Sequence, residues 1–324
     1  WGVRITTTGS GSVLTIGEQV EITTLKAQNG GTLNMEEGAC ADNVAVETGS
    51  NFTMNGGTIE STVSMAVYVI NNSTFVMNNG TIAGGDECVN LGFSSTFDMK
   101  GGTIKKATVS GLAISGEFRM SGGRIENCVG PGVKAYSESM VTISGGTITD
   151  NVGGINANGA TVLVSGGKIT NNEAKYGGGI YATSSTVAIS GAEITGNKAT
   201  YGGGVYVSDS TLTVSGGTIS NNTATTKQGG GIYAQHSSFA MSGGSISQNI
   251  AKGYGGGIYC SNMTPNMSGG SITANTCGSY GGGVYCYKGN LSVSGDVAIT
   301  GNTKNGVPHN VYVGNEIYVT GAMG

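Results

Sequence analysis

Residues 169–181 read ITNNEAKYGGGIY, and near copies follow at 194–206 (ITGNKATYGGGVY), 219–233 (ISNNTATTKQGGGIY), 246–259 (ISQNIAKGYGGGIY) and 272–285 (ITANTCGSYGGGVY). Three glycines before Ile-Tyr admit two readings, a phosphate-cradling loop or a building unit. A phosphate loop needs a helix start behind it, usually with Lys-Ser/Thr, so that backbone amides and the helix dipole act together. GGGIY leads instead into another strand-like alternation of apolar and polar residues. The triplets Gly177–Gly179, Gly202–Gly204, Gly229–Gly231, Gly255–Gly257 and Gly281–Gly283 therefore read as corners of positive φ where neighbouring backbones approach closely.

Working outward, the self-similarity covers nearly the whole chain. The last residue of a short apolar-x-apolar segment falls at Ile16, Met35, Met54, Met77, Met99, Met120, Ile143, Val164, Ile189, Val214, Met241, Met267, Val293 and Val319. The mean period is about 23 residues and grows from 19 to 25–27 along the chain. Each unit carries three extended pieces, as in GIYATS (179–184), STVAIS (185–190) and AEIT (192–195), separated by glycine or asparagine. Such short, β-branched, Gly-punctuated pieces do not suit helices, whose interiors each glycine weakens by roughly 1 kcal/mol. Identical strands recurring at a fixed period pair most simply with their own copies, in parallel and in register.

The sequence thus predicts an all-β fold, a right-handed parallel β-helix of about 13 coils of 19–27 residues with three short strands per coil. At about 4.8 Å per coil this makes a rod roughly 60 Å long. Residues 1–30, with the polar EQVEITT, read as an N-terminal cap and first coil. Residues 31–140 read as less regular coils, 141–303 as regular ones and 304–324 as a terminal coil.

Asparagine stands three residues after the Ile of the GGTI-like segments at Asn151, Asn172, Asn197, Asn222, Asn249, Asn275 and Asn302. Stacked amides at strand spacing are expected to hydrogen-bond along a structural ladder. Asn127 is one place short of this position, and the units around Ile59, Ile82 and Ile104 lack it. The pattern I-x-x-N, a spacer, then GG-x-[IV]-Y resembles the paired FxxN and GGAI repeats of chlamydial polymorphic membrane proteins. It is also similar to Gly/Asn-rich β-helix repeats in large surface proteins of other bacteria. The resemblance covers residues 145–303 well and the first half loosely, and it implies a surface-exposed, adhesive passenger or stalk.

Composition limits the alternatives. The 324 residues hold 61 glycines, 3 prolines, 10% charged and 6% aromatic residues, unlike an ordinary enzyme core. Regularly placed Val, Ile, Met and Tyr argue against disorder. A net charge of −4 gives no overall basic character for nucleic acid, and no apolar run reaches the roughly 20 residues of a membrane helix. Opening on Trp1, with neither initiator Met nor signal segment, the chain reads as a trimmed mature piece.

Candidate chemistry is sparse. Tyrosines align at Tyr181, Tyr206, Tyr233, Tyr259 and Tyr285, and again at Tyr176, Tyr201, Tyr254 and Tyr280, with Gln228 interrupting the second column. If a column faces outward it is a binding strip for sugar rings or a protein; otherwise it is a packing ladder. Paired carboxylates, as in lyases and glycosidases that share β-helix folds, are absent from residues 210–295. Twelve of the 19 acids stand at or before Glu126, so a catalytic groove would draw on Glu60, Asp86, Glu87, Lys106 and Arg124. Lys105 and Glu126 fall in adjacent coils and are expected to form an exposed ion pair worth at most about 1 kcal/mol.

His236 and His309 are too far apart in coil register for a metal site or a Ser-His triad, and no cofactor is implied. Outward Thr and Ser in TIT (147–149), TIS (218–220), SIS (245–247) and SIT (271–273) form a pattern similar to ice-binding β-helices, interrupted by Lys168 and Glu193. Cys260 and Cys286 occupy the same place in adjacent coils, a possible but strained disulfide, with Cys277 an alternative partner. Cys40, Cys88 and Cys128 have no partner by spacing. Triplets such as NFT (51–53) and NGT (79–81) are expected by chance in so Asn- and Thr-rich a chain.

These readings point to a secreted or cell-surface structural or adhesive β-helix without catalysis, facing a glycan or a host or cell-surface protein. Two alternatives stand beside it: a polysaccharide-degrading β-helix with its groove in the first half, and the protomer of a surface filament or sheath that meets copies of itself end to end. The last residues, NVYVGNEIYVTGAMG, suggest either a cut in a longer protein or such a contact.

Overall fold

The computed structural model describes residues 3–17, 21–62 and 64–323. Among them every regular element is a strand, and the chain divides into two compact units, residues 1–152 and 153–324. Each unit is a right-handed parallel β-helix, its strands pairing with their copies one coil away. The predicted anchors are register partners at every step within a unit, from Ile16↔Met35 to Met120↔Ile143 and from Val164↔Ile189 to Val293↔Val319.

In the first unit three strands make a coil. Thr74–Met77, Thr81–Gly84 and Glu87–Leu91 pair in parallel with Thr96–Met99, Thr103–Lys105 and Ser110–Ile114. The period-2 alternation of a strand sends the anchor methionine and the residue two before it to the same inward face. Phe52, Phe75, Phe97 and Phe118 therefore stack inside, with ring centroids 4.8, 4.4 and 5.2 Å apart and no exposed surface. Burying one such ring stabilises the coil by roughly 1.5–3 kcal/mol. The stretch expected to cap the first coil also forms strands, and Arg4–Thr8 pairs with Glu21–Gln28 as in any coil. Trp1 and Glu18, Gln19 and Val20 of EQVEITT lie outside the described residues.

The second unit shows the three expected strands as Ile180–Thr183, Thr186–Ile189 and Glu193–Thr195, and a fourth, Lys198–Tyr201. The fourth strand occupies the spacer between I-x-x-N and GG-x-[IV]-Y, and it lengthens these coils. Its copies run from Glu173–Tyr176 to Thr303–Lys304 and, with Val307–Pro308, make a separate sheet of seven strands. All its pairings are parallel except the last, where Thr303–Lys304 meets Val307–Pro308 antiparallel. At the final strand, Ile317–Met323, the anchor Val319 is 60% exposed.

Candidate functional site

The asparagines of the repeat turn inward. Asn172, Asn197, Asn222, Asn249, Asn275 and Asn302 have no exposed surface. Each is preceded by a residue in the left-handed region, for instance Asn221 at φ 55° and Ala274 at φ 56°, which swings the amide into the corner. The Asn197 backbone N–H and side-chain Nδ2 both donate to Asn222 Oδ1 at 3.0 Å, and Asn222 repeats this toward Asn249 Oδ1. The same Nδ2 also donates backward to a coil carbonyl, Asn222 to Ile194 O at 2.9 Å. Each amide from Asn197 to Asn302 thus has both donors and its acceptor satisfied, as burial requires. The column ends on Asn310, whose Oδ1 accepts from Asn302 N and Nδ2 at 3.0 and 3.1 Å. In the first unit Asn151 Oδ1 accepts from the Cys128 backbone N–H at 3.0 Å, so Cys128 holds the ladder place there. Asn127, one place short, is the left-handed corner residue at φ 55°.

The triple glycine is the corner that closes over this ladder. The first takes a left-handed conformation, as at Gly202 with φ 62°, and the third leaves no room for a side chain. A Cβ on Gly204 would lie 2.7 Å from the Gly231 carbonyl oxygen and 3.0 Å from Asn222 Nδ2.

Beyond the corner the tyrosines form two layers. Tyr206, Tyr233, Tyr259 and Tyr285 are 8–9% exposed. Their rings stack at 4.8, 4.8 and 5.5 Å, and Tyr312 continues the column at 5.0 Å. Tyr181 starts it, half-buried, at 5.4 Å from Tyr206. The second column covers the first with an offset of one coil: Tyr176 packs on Tyr206, Tyr201 on Tyr233, Tyr254 on Tyr285 and Tyr280 on Tyr312, at 5.2, 5.7, 4.8 and 5.2 Å. The inner column is therefore a packing ladder, and the outer rings are the ones that reach the surface. Gln235 ties the inner hydroxyls, donating to Tyr206 Oη and accepting from Tyr233 Oη, each at 3.0 Å. Burial pushes the Tyr206 and Tyr259 phenols up to about 12 and raises Tyr233 further.

The charged candidates of the first unit do not all share one cleft. Glu60 lines a shallow depression with Glu21, Cys40 and Asp42. Asp86 and Lys106 line another with Ser61, Thr62, Ser64 and Thr108, of about 430 Å³, where Thr108 Oγ1 donates to Asp86 at 3.0 Å. Lys106 holds the left-handed corner at φ 62°. Glu87 accepts from Asn90 Nδ2 at 2.6 Å, and Arg124 is ion-paired with Glu126 and, at 3.8 Å, with Asp150. Lys105 and Glu126 are register partners as their spacing placed them, but the ion pair at Glu126 comes from Arg124. Residues two apart on a strand share a face, and the longer guanidinium bridges both carboxylates.

The remaining groups serve the architecture. His236 sits at a left-handed corner, φ 46°, while His309 Nδ1 accepts from the Gly281 N–H and its ring meets Tyr280 edge-on at 5.7 Å. Cys260 and Cys286 are buried register partners and free thiols, and Cys277 is also free. The hydrogen bond to Cys286, then burial, holds the Cys260 thiol well above the ordinary range. Lys168 and Glu193, which interrupt the Thr/Ser column, form an ion pair at 2.8 Å. Among the described residues no group of three or more His, Cys, Asp or Glu could hold a metal ion, and no helix is long and apolar enough to cross a membrane.

Residues 110–270 match a family model described as right handed beta helix region. The match is to the general repeat and does not single out the chlamydial polymorphic membrane proteins. No curated protein and no solved structure matches the chain.

Proposed function

We propose that this β-helix is a structural or adhesive element of a cell surface or secreted protein, doing no catalysis and offering its outward faces to a glycan or protein partner. The observation that carries this reading is where the reactive side chains go. The repeat's amides lie wholly inside the ladder, and the inner phenols are closed off by a second layer. The candidate acids and bases are divided between two depressions and further surface positions, several already bonded to neighbours. General acid–base work on a glycosidic bond needs two such groups flanking one substrate position.

One observation favours a second reading, a polysaccharide-degrading enzyme: Asp86 and Lys106 do line one depression. Incubation of the purified chain with plant and bacterial polysaccharides, read by new reducing or unsaturated ends, separates the two. No cleavage is expected. Turnover that disappears in Glu60→Gln, Asp86→Asn or Glu87→Gln would sink the non-catalytic reading in favour of the enzyme.

A further inference from the structure

Charge is divided unevenly along the chain. Residues 1–152 hold eight Lys/Arg and fourteen Asp/Glu, a net −6, whereas residues 153–324 hold seven and five, a net +2. All seven cations of the second unit are lysines, and from residue 210 to 295 there is no carboxylate.

The fold gathers most of these lysines on one face. Lys198 and Lys175 lie on strands of the seven-stranded sheet. Lys252 directly follows its strand Ile250–Ala251, and Lys227 lies in the longer corner after Thr223–Ala224, its carbonyl accepting from Gly253 N–H at 2.8 Å. The pairings Ala174↔Ala199, Ala199↔Ala224 and Ala224↔Ala251 put Lys175 and Lys252 in one column, three coils or about 14 Å apart, while Glu173, the carboxylate on these strands, stands opposite Lys198. The four lysines are exposed, while the alanines between them are buried or half-buried. Among the described residues the ion pair of the second unit, Lys168 with Glu193, lies on another sheet. Along the edge of this face run the outer tyrosines, with Lys175 Nζ 5.1 Å from the Tyr176 ring and Lys304 Nζ 3.8 Å from the Tyr280 ring.

We propose that this face binds a linear acidic polysaccharide, a polymer of uronic acids laid along the direction in which coils stack. The proposal rests on the surface-binding reading above and names its ligand class. Four ammonium groups against the single carboxylate of Glu173, spread along the direction in which coils stack, suit a polymer with carboxylates at regular intervals. Two features separate a glycan from a single-stranded nucleic acid. Base stacking requires a row of open aromatic faces, but the outer rings lean on one another, Tyr176 on Tyr201 at 5.6 Å and Tyr254 on Tyr280 at 6.4 Å, and of these four Tyr280 alone is well exposed, at 43%. Phosphate recognition favours arginine, whose fork matches its oxygens, and the second unit has none.

Affinity electrophoresis of the full chain through gels holding polygalacturonate, a neutral glucan or an oligo-dT strand tests this directly. Retardation by polygalacturonate alone is expected, falling as salt is raised. The triple variant Lys175→Gln/Lys198→Gln/Lys252→Gln should lose about tenfold or more in affinity because these exposed charges act through screened attraction. Lys168→Gln, from the other sheet, should bind as the parent does. Melting curves of both variants confirm that the fold is kept. No retardation by polygalacturonate, equal retardation by oligo-dT, or retention unchanged in the triple variant would each overturn the proposal. Polymer length read after the same incubation reports separately on the non-catalytic reading, since binding and cleavage fail independently.

Discussion

At the scale of the residue, the ladder asparagine links three coils. Asn222 accepts two hydrogen bonds from Asn197 and donates to Asn249 and Ile194. Asn222→Ala removes the acceptor from two buried donors, a loss expected to cost about 1–3 kcal/mol for each unsatisfied group. Asn222→Asp tests the chemistry more finely. Its carboxylate still accepts from Asn197 but, ionised, donates to neither Asn249 Oδ1 nor the Ile194 carbonyl. Burial raises its folded pKa above the unfolded value of about 3.9, so the folded state holds a proton that the unfolded state releases. The variant's stability is then greatest below about pH 4 and falls as pH rises through the folded pKa. Chemical denaturation at pH 4 and pH 8 should show a larger deficit against the parent at pH 8; an equal deficit would show that the aspartate is not carrying the buried donor. The position of these amides could be read from I-x-x-N because spacing alone places them. Asn310 could not, since it reaches the column through the antiparallel turn after Thr303–Lys304, outside the repeat.

At the scale of the element, the sequence showed which tyrosines align but left open which way they face. Alternation decides direction only while a strand continues, and the Gly corner between Tyr201 and Tyr206 resets it. The two columns therefore become two layers, one covering the other. The fourth strand is not legible in the sequence for a related reason: copies as short as Thr223–Ala224 or Thr276–Cys277 are too short to alternate. The layering has a measurable outcome at high pH. Phenols that ionise at 10.0 when unfolded are pushed up to about 12 at Tyr206 and Tyr259 in the folded state, first by burial. Their contribution to stability is complete below pH 10 and is lost as pH rises toward 12, because the unfolded chain releases protons that the folded one retains. The melting temperature should thus fall steeply between pH 10 and 12. Replacing Tyr206 and Tyr259 by Phe should flatten that fall, and an unchanged slope would place its origin elsewhere.

At the scale of the whole molecule, the anchor spacing made the coil repeat and its register readable from end to end, because every in-unit anchor pairs with the next. Charge was harder to read. The total of −4 hides a first unit at −6 and a second at +2, and the lysines of the second become a common face only through the pairing of strands too short to predict.

The ladder spacings in the second unit, 25, 25, 27, 26 and 27 residues, differ although every amide meets the next, and the variation includes the longer corner at 225–228. Length is free at the corners and quantised along the ladder, which makes the coil the unit of inheritance. Unequal exchange between copies would add or remove whole coils while leaving each junction native-like. Excising residues 198–222 joins Asn197 to Thr223, the register partner of Lys198, and should leave a chain with the parent's β-sheet circular dichroism and a cooperative melt. Excising only residues 198–210 sets strands against unlike partners and should weaken the β-sheet signal of the second unit and break the cooperativity of the melt. A gene for such a protein can therefore change length by recombination in steps the fold accepts, and point insertions survive where they fall between strands.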